Sequence, residues 1–202
     1  DVTPRGEKTF STNQVVELAN GLHYWDGKEW QTSDPVFVNT DQGAVAYKAP
    51  YQLTISPDLM DEGVVNLLTI DAKRFVSNPA FLAYRDLLTG ESVLISEVKS
   101  SVGKLVSPTE VIFEDAFANI QGSVRFSITA EGMEQDVLLQ GNVPTPTDLG
   151  LEPNGHGVRL EMWTRFSESG DLVNAVEVPA GQQDDVELHF GEMWIGQGKA
   201  FE

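Results

Sequence analysis

Thr109 to Gln140 reads TEVIFEDAFANIQGSVRFSITAEGMEQDVLLQ, and its second half decides the fold class. Val124, Phe126, Ile128 and Ala130 alternate with Arg125, Ser127 and Thr129. That period of two belongs to a strand with one buried face. Glu131-Gly132 supplies a turn, glycine being free to take a positive φ. Met133, Gln135, Val137 and Leu139 then alternate with Glu134 and Asp136. A two-residue loop predicts Ala130 opposite Met133, Ile128 opposite Gln135, Phe126 opposite Val137 and Val124 opposite Leu139. On the polar face it pairs Thr129 with Glu134 and Ser127 with Asp136, leaving Arg125 diagonal to Asp136 and within reach. A slip of one residue would turn the apolar row into water, so the register of this hairpin is well determined by its sequence.

The same reading extends outward. Asn13 to Ala19 predicts a short strand, closed by the turn dipeptide Asn20-Gly21. Tyr24-Trp25 and Trp30-Gln31 flank Asp26-Gly27, a second hairpin signal. Short strands follow at 36–39, 44–48, 51–55, 64–70, 81–85, 92–98 and 104–106. Ser56-Pro57-Asp58 can cap a single helical turn that Gly63 would end. Beyond the central hairpin, strands are predicted at 158–163, 172–178, 186–190 and 193–195. No window sustains the i, i+3, i+4, i+7 pattern of a long amphipathic helix. Many short strands with frequent turns predict an all-β chain built as a β-sandwich, two packed antiparallel sheets, with little helix.

The expected organisation is an extended lead over 1–12, a main β-sandwich over 13–141, a Pro/Gly-rich linker over 142–157, and further strands over 158–202 that complete the same domain. At 202 residues the chain is long enough to bury a core without disulfides, and it has no cysteine. Both ends read as cut from a longer polypeptide, and DVTPRGEKTF carries no apolar signal-peptide segment.

Thirty-one acids against thirteen bases give a net charge of −18. Such a chain repels phosphate, which argues against nucleic acid and anionic lipid as partners. No run of 18 apolar residues occurs, so membrane insertion is not expected.

Chemistry is thinly signalled. His23, His156 and His189 lie far apart, none at ligand spacing with another, so no metal site is predicted from them. The acidic clusters Asp58-Asp61-Glu62, Glu114-Asp115 and Asp184-Asp185-Glu187 lack a DxDxDG ligand series and read as solvated faces. Paired carboxylates are everywhere in so acidic a chain and single out no glycosidase pair. The serines lack GxSxG, and GxGxxG does not occur. No catalytic residue, no cofactor and no enzymatic activity are expected. The aromatics carry more. Tyr24, Trp25 and Trp30 crowd one hairpin and Trp163 lies on the polar side of its strand. Such rings close the ends of a core or, when exposed, stack on a sugar or anchor a protein.

Several short motifs resemble a known family. Phe113, Asp115-Ala116-Phe117, Val124-Arg125-Phe126, and Gly132 through Glu134-Gln135-Asp136-Val137 to Leu139 are similar to a pattern in large secreted bacterial RHS/YD-repeat proteins. There it lies in the β-rich region upstream of the repeats. Gly21-Leu22-His23-Tyr24-Trp25 with Trp30, and Phe190-Gly191 with Gly198-Lys199-Ala200-Phe201, resemble segments of the same regions. YD repeats are absent from this stretch, so toxin, cocoon-forming and autoproteolytic activities are not implied. The resemblance implies a noncatalytic structural or interaction module of an exported bacterial multidomain protein, secreted or displayed at the cell surface. Its partners would be other domains of the parent polypeptide or other proteins. A carbohydrate-binding domain using Tyr24, Trp25, Trp30 and Trp163 is the alternative.

Overall fold

The computed structural model describes residues 22–152, 157–168, 174–180, 183–190, 193–196 and 198. The predicted lead over 1–12, the strand Asn13 to Ala19, the turn at Asn20-Gly21 and His156 lie outside the described residues. The strands are β1 (His23–Trp25), β2 (Trp30–Thr32), β3 (Val38–Thr40), β4 (Gly43–Ala46), β5 (Tyr51–Ile55) and β6 (Val65–Thr69). Then come β7 (Arg74–Asp86), β8 (Ser92–Glu97), β9 (Gly103–Ser107), β10 (Glu110–Phe113), β11 (Gly122–Ile128) and β12 (Met133–Leu139). A 3-10 turn at Thr147–Leu149 precedes β13 (Val158–Glu168), β14 (Asn174–Ala180), β15 (Gln183–Phe190) and β16 (Met193–Ile195). The fold is all-β, as the periodicity predicts.

Two sheets make the sandwich. One has the order β13-β7-β6-β5-β4-β3 with β8 also on β7; the other is β12-β11-β10-β9. Every pairing in them is antiparallel. Alternation fills the space between them. Leu53 and Ile55 of β5, Val65 and Leu67 of β6, and Val111, Phe113, Val124, Phe126 and Ile128 of the smaller sheet all fall in one buried cluster. Fully burying such a side chain is worth about 1.5–3 kcal/mol. Phe126 meets Phe113 edge to face, ring centroids 5.9 Å apart. The hairpin β1-β2 and the sheet β14-β15-β16 complete the chain, the latter joined to the core by Phe190 against Phe75 at 5.0 Å.

The central hairpin keeps its predicted facing but not its predicted register. Ile128 lies opposite Met133, Phe126 opposite Gln135 and Val124 opposite Val137, a shift of two that leaves the apolar row inside. The cause is the turn. Its tip is Ala130-Glu131, the Thr129 N–H donates to the Gly132 carbonyl at 2.9 Å, and the Thr129 hydroxyl accepts from the N–H groups of Glu131 and Gly132. A threonine hydroxyl closes the turn here, a role such side chains can take from a glycine. The shift sets Arg125 directly opposite Asp136, with Nε and Nη2 at 3.0 and 2.8 Å from one carboxylate oxygen, while Nη1 reaches Glu110 at 3.3 Å.

Strand β7 is longer than predicted. The expected strand starts at Phe81, whereas β7 begins at Arg74 and runs through Ser77-Asn78-Pro79. On one edge it pairs with β13; along the other it pairs first with β6 and then with β8. Pro79 sits at the irregularity opposite Trp163/Thr164, between the β6 and β8 pairings, where a missing N–H is tolerated. Between β5 and β6 the chain makes a single hydrogen-bonded turn rather than a helix, the Asp61 N–H donating to the Asp58 carbonyl at 3.1 Å. Asp58 Oδ1 accepts from the Met60 N–H at 2.8 Å, an Asx turn, and Gly63 follows with φ 69°. Over 142–152 the chain packs Val143, Leu149 and Leu151 inward, and Thr145 and Asp148 bond each other reciprocally. Gly43 is required by space: at φ +109°, a Cβ there would lie 2.0 Å from the Ile55 carbonyl oxygen.

The motif Asp115-Ala116-Phe117 links the two sheets. Asp115 takes a left-handed φ of 49°, which Asp tolerates better than most residues. Ala116 and Phe117 are buried, Lys99 N–H donates to the Ala116 carbonyl at 2.9 Å, and Phe117 bridges Val98.

Replacing Phe126 by Ala should cost roughly 3–5 kcal/mol in chemical denaturation, since it empties a fully buried site and removes the ring contact to Phe113. Tyr51 gives a second expectation. Its phenol lies 2.5 Å from the Thr129 carbonyl and 2.8 Å from that of Gly132 and donates there, tying β5 to the hairpin turn. Burial first, then the Glu131 carboxylate, push its pKa up to about 12 from 10.0. A raised value means the fold favours the protonated phenol, so this stability is whole below about pH 10 and lost as pH rises through about 12. The loss should reach about 1–2 kcal/mol after solvent screening. Tyr51→Phe should be less stable at pH 8 by about 1–2 kcal/mol, and its urea midpoint should fall less than the wild type's between pH 9 and 11.

Candidate functional site

The hairpin β1-β2 is organised by Asp26. Its Oδ1 accepts from the N–H groups of Lys28 and Glu29 at 2.8 and 2.9 Å, and Gly27 turns the chain at φ 97°. Those backbone donors, Glu29 first, hold the Asp26 carboxyl below its usual range. The Gln31 amide spans Asp26 Oδ2 and Glu29 Oε1, both at 3.1 Å. Trp25 then lies directly opposite Trp30, ring centroids 5.6 Å apart and planes at 64°. Two strands of three residues are marginal alone, and an edge-to-face pair adds about 0.5–1.5 kcal/mol. Tyr24 is half-buried opposite Gln31. The hairpin base is held by Ser33 N–H to the Leu22 carbonyl at 2.8 Å and Asp34 N–H to that of Lys48 at 3.0 Å.

Trp163 stands elsewhere, on β13 at the end of the seven-stranded sheet. It stacks on Phe81 with centroids 5.3 Å apart and planes at 19°, and its Nε1–H donates to Glu161 Oε2 at 3.2 Å. The fold thus brings Trp25 and Trp30 together and places Trp163 in a different aromatic pair. Trp194 on β16, opposite His189, is an aromatic that the hairpin-centred reading passes over. The four tryptophans are exposed by 53, 59, 42 and 59 % in chain order. None closes the end of the core; phenylalanines fill it.

The remaining sequence candidates are dispersed. His189 lies 3.4 Å from Glu187 and His23 is exposed on β1. Asp58 accepts from the Ser100 hydroxyl at 2.6 Å, which with the Met60 N–H lowers its pKa. Glu114 pairs with Lys104, and Asp115 with Lys99 at 2.8 Å. Among the described residues no three His, Cys, Asp or Glu are placed to hold a metal ion. Two open hollows indent the surface. One is lined by Asn39, Thr40, Ser56, Leu105 and Val111 among others, the second by Gln52, Thr54, Asn66, Leu68 and Arg74; neither is lined by a carboxylate or a histidine. Among known proteins, no family model, no curated protein and no solved structure matches the chain.

Trp25→Ala should abolish the coupled-indole signal in the circular dichroism spectrum that two rings 5.6 Å apart produce. Because both rings are half in water, the free energy of unfolding should fall by no more than about 0.5–1 kcal/mol. A larger loss would mean that the pair carries the sandwich itself.

Proposed function

We propose that this chain is a noncatalytic structural or interaction module of a large exported bacterial multidomain protein of the RHS/YD-repeat kind. What supports this is where the motif residues sit. Phe113, Ala116, Phe117, Val124 and Phe126 are buried, Asp115 makes the left-handed turn, and Asp136 pairs with Arg125. The motif serves the sandwich rather than a reactive centre, which fits a scaffold that presents surfaces. Its partners are neighbouring domains or other proteins outside the bacterial cell or at its surface.

A carbohydrate-binding domain is the second reading, favoured by one observation: every tryptophan is exposed by 42 % or more. A large aromatic left in water at that frequency suits surfaces that receive a ligand.

The open reading frame around this sequence tests the first reading. A signal peptide upstream and YD repeats downstream are expected; a frame lacking both overturns it. Assays on polysaccharide and peptide substrates should show no turnover. Turnover abolished by a single Asp or Glu substitution would overturn the noncatalytic assignment.

A further inference from the structure

Resting on the carbohydrate-binding reading, we infer that the outer face of β13, centred on Trp163 with Glu161 and Arg165, is a stacking site for the neutral pyranose units of a polysaccharide. The register decides which residues share that face. Met162 lies opposite Leu82, which is 1 % exposed in the core, so the neighbouring pairs Trp163–Phe81, Glu161–Ala83 and Arg159–Arg85 face away from it. Thr164 again turns inward, where its hydroxyl accepts from the Gln135 amide at 3.2 Å, so Arg165 joins Trp163 on the outer face.

Three features make this ring a platform. Phe81 backs one face of the indole in a near-parallel stack, and Trp163 remains 42 % exposed. The Nε1–H bond to Glu161 fixes the rotation of the ring, which reduces the entropy lost on binding. Glu161 and Arg165 stand two residues to either side, about 6.5 Å along the strand in each direction. A carboxylate that accepts and a guanidinium that donates are together the complement of sugar hydroxyls, which do both.

The hairpin tryptophans lack these features. Trp25 and Trp30 meet edge to face, and the polar groups beside them, Asp26, Glu29 and Gln31, are bonded to one another in the turn. Charge selects a neutral glycan. Arg85, Arg159 and Arg165 share the face with Glu161 and, opposite Phe81, Glu97, so it is close to balanced, while the whole chain at −18 repels a polyanion.

The test is affinity electrophoresis of the full chain through mixed-linkage β-glucan, xylan and galactomannan, with polygalacturonate as the acidic comparison, followed by titration calorimetry on any that retard it. We expect retardation by a neutral polysaccharide. Trp163→Ala should weaken it by about ten-fold or more, and Glu161→Gln and Arg165→Ala by about three-fold each. Trp163→Phe, which keeps an aromatic on Phe81, should fall between, and thermal melts should show all four folded. The double variant Trp25→Ala/Trp30→Ala should bind within about two-fold of wild type. Binding lost in the hairpin variant and kept in Trp163→Ala would overturn this site while leaving the carbohydrate-binding reading standing. Retardation by polygalacturonate alone would overturn the neutral-glycan assignment. No retardation by any of the four would overturn both.

Discussion

Three inward side chains of one strand, Val124, Phe126 and Ile128, occupy the space between the two sheets, and the rest of the sandwich is arranged around them. They meet a facing row on β5, Tyr51, Leu53 and Ile55, in the same buried cluster. Close packing makes that contact intolerant of voids, so elements that touch it are held in place by it. The Tyr51 phenol fastens the hairpin turn to β5, the Phe37 N–H donates to the Pro108 carbonyl at 2.7 Å, and the Gly103 N–H to that of Pro57 at 2.8 Å. Backbone bonds at the margins thereby fix the two sheets against each other where side chains alone would let them slide.

How much of this was legible follows from how local each signal is. The strand Tyr51–Ile55 reads off its alternation, and so does the buried face of β11, because period two needs only the residues themselves. The hairpin register does not. Choosing between Glu131-Gly132 and Ala130-Glu131 as the tip depends on the Thr129 hydroxyl and on the Tyr51 phenol, 78 residues away. The first half of β7 is not legible because Pro79 interrupts the run, and the strand passes through it only where an extra residue of β7, Ala80, faces Trp163/Thr164. The tryptophans show the limit for the site. That Trp25 and Trp30 share a hairpin follows from the signal at Asp26-Gly27, but their direct pairing rests on the four-residue loop that the Asp26 carboxylate closes, and Trp163 finds Phe81 only through a register between strands distant in sequence.

Charge is distributed with similar economy. A net −18 is tolerable because few acids are buried; Asp86 is the one buried acid among the described residues, and its Oδ1 accepts from the N–H groups of Leu88 and Thr89 at 2.8 Å. A carboxylate supplied with backbone donors does not leave an uncompensated charge. Arg125 is handled differently, bound between Asp136 and Glu110 on the solvent side of three adjacent strands. Such an exposed triad adds at most about 1 kcal/mol, yet opposite charges directly across a sheet penalise alternative registers.

Placement of the aromatics separates stability from recognition. Phe37, Phe75, Phe113, Phe117, Phe126 and Phe190 are buried, and a ring without a polar atom needs no partner there. Tryptophan carries an N–H that must be bonded when buried, so a core already filled by phenylalanine gains nothing from it. On the outer face of a sheet the constraint reverses. The N–H can be spent on a neighbour, as Trp163 spends it on Glu161, and the broad face stays available. Because β13 turns alternate residues toward the core, its outward positions 161, 163 and 165 are less constrained by packing than the inward ones. That freedom is what allows a flat aromatic flanked by a carboxylate and a guanidinium to stand on a strand whose other face helps hold the sandwich together.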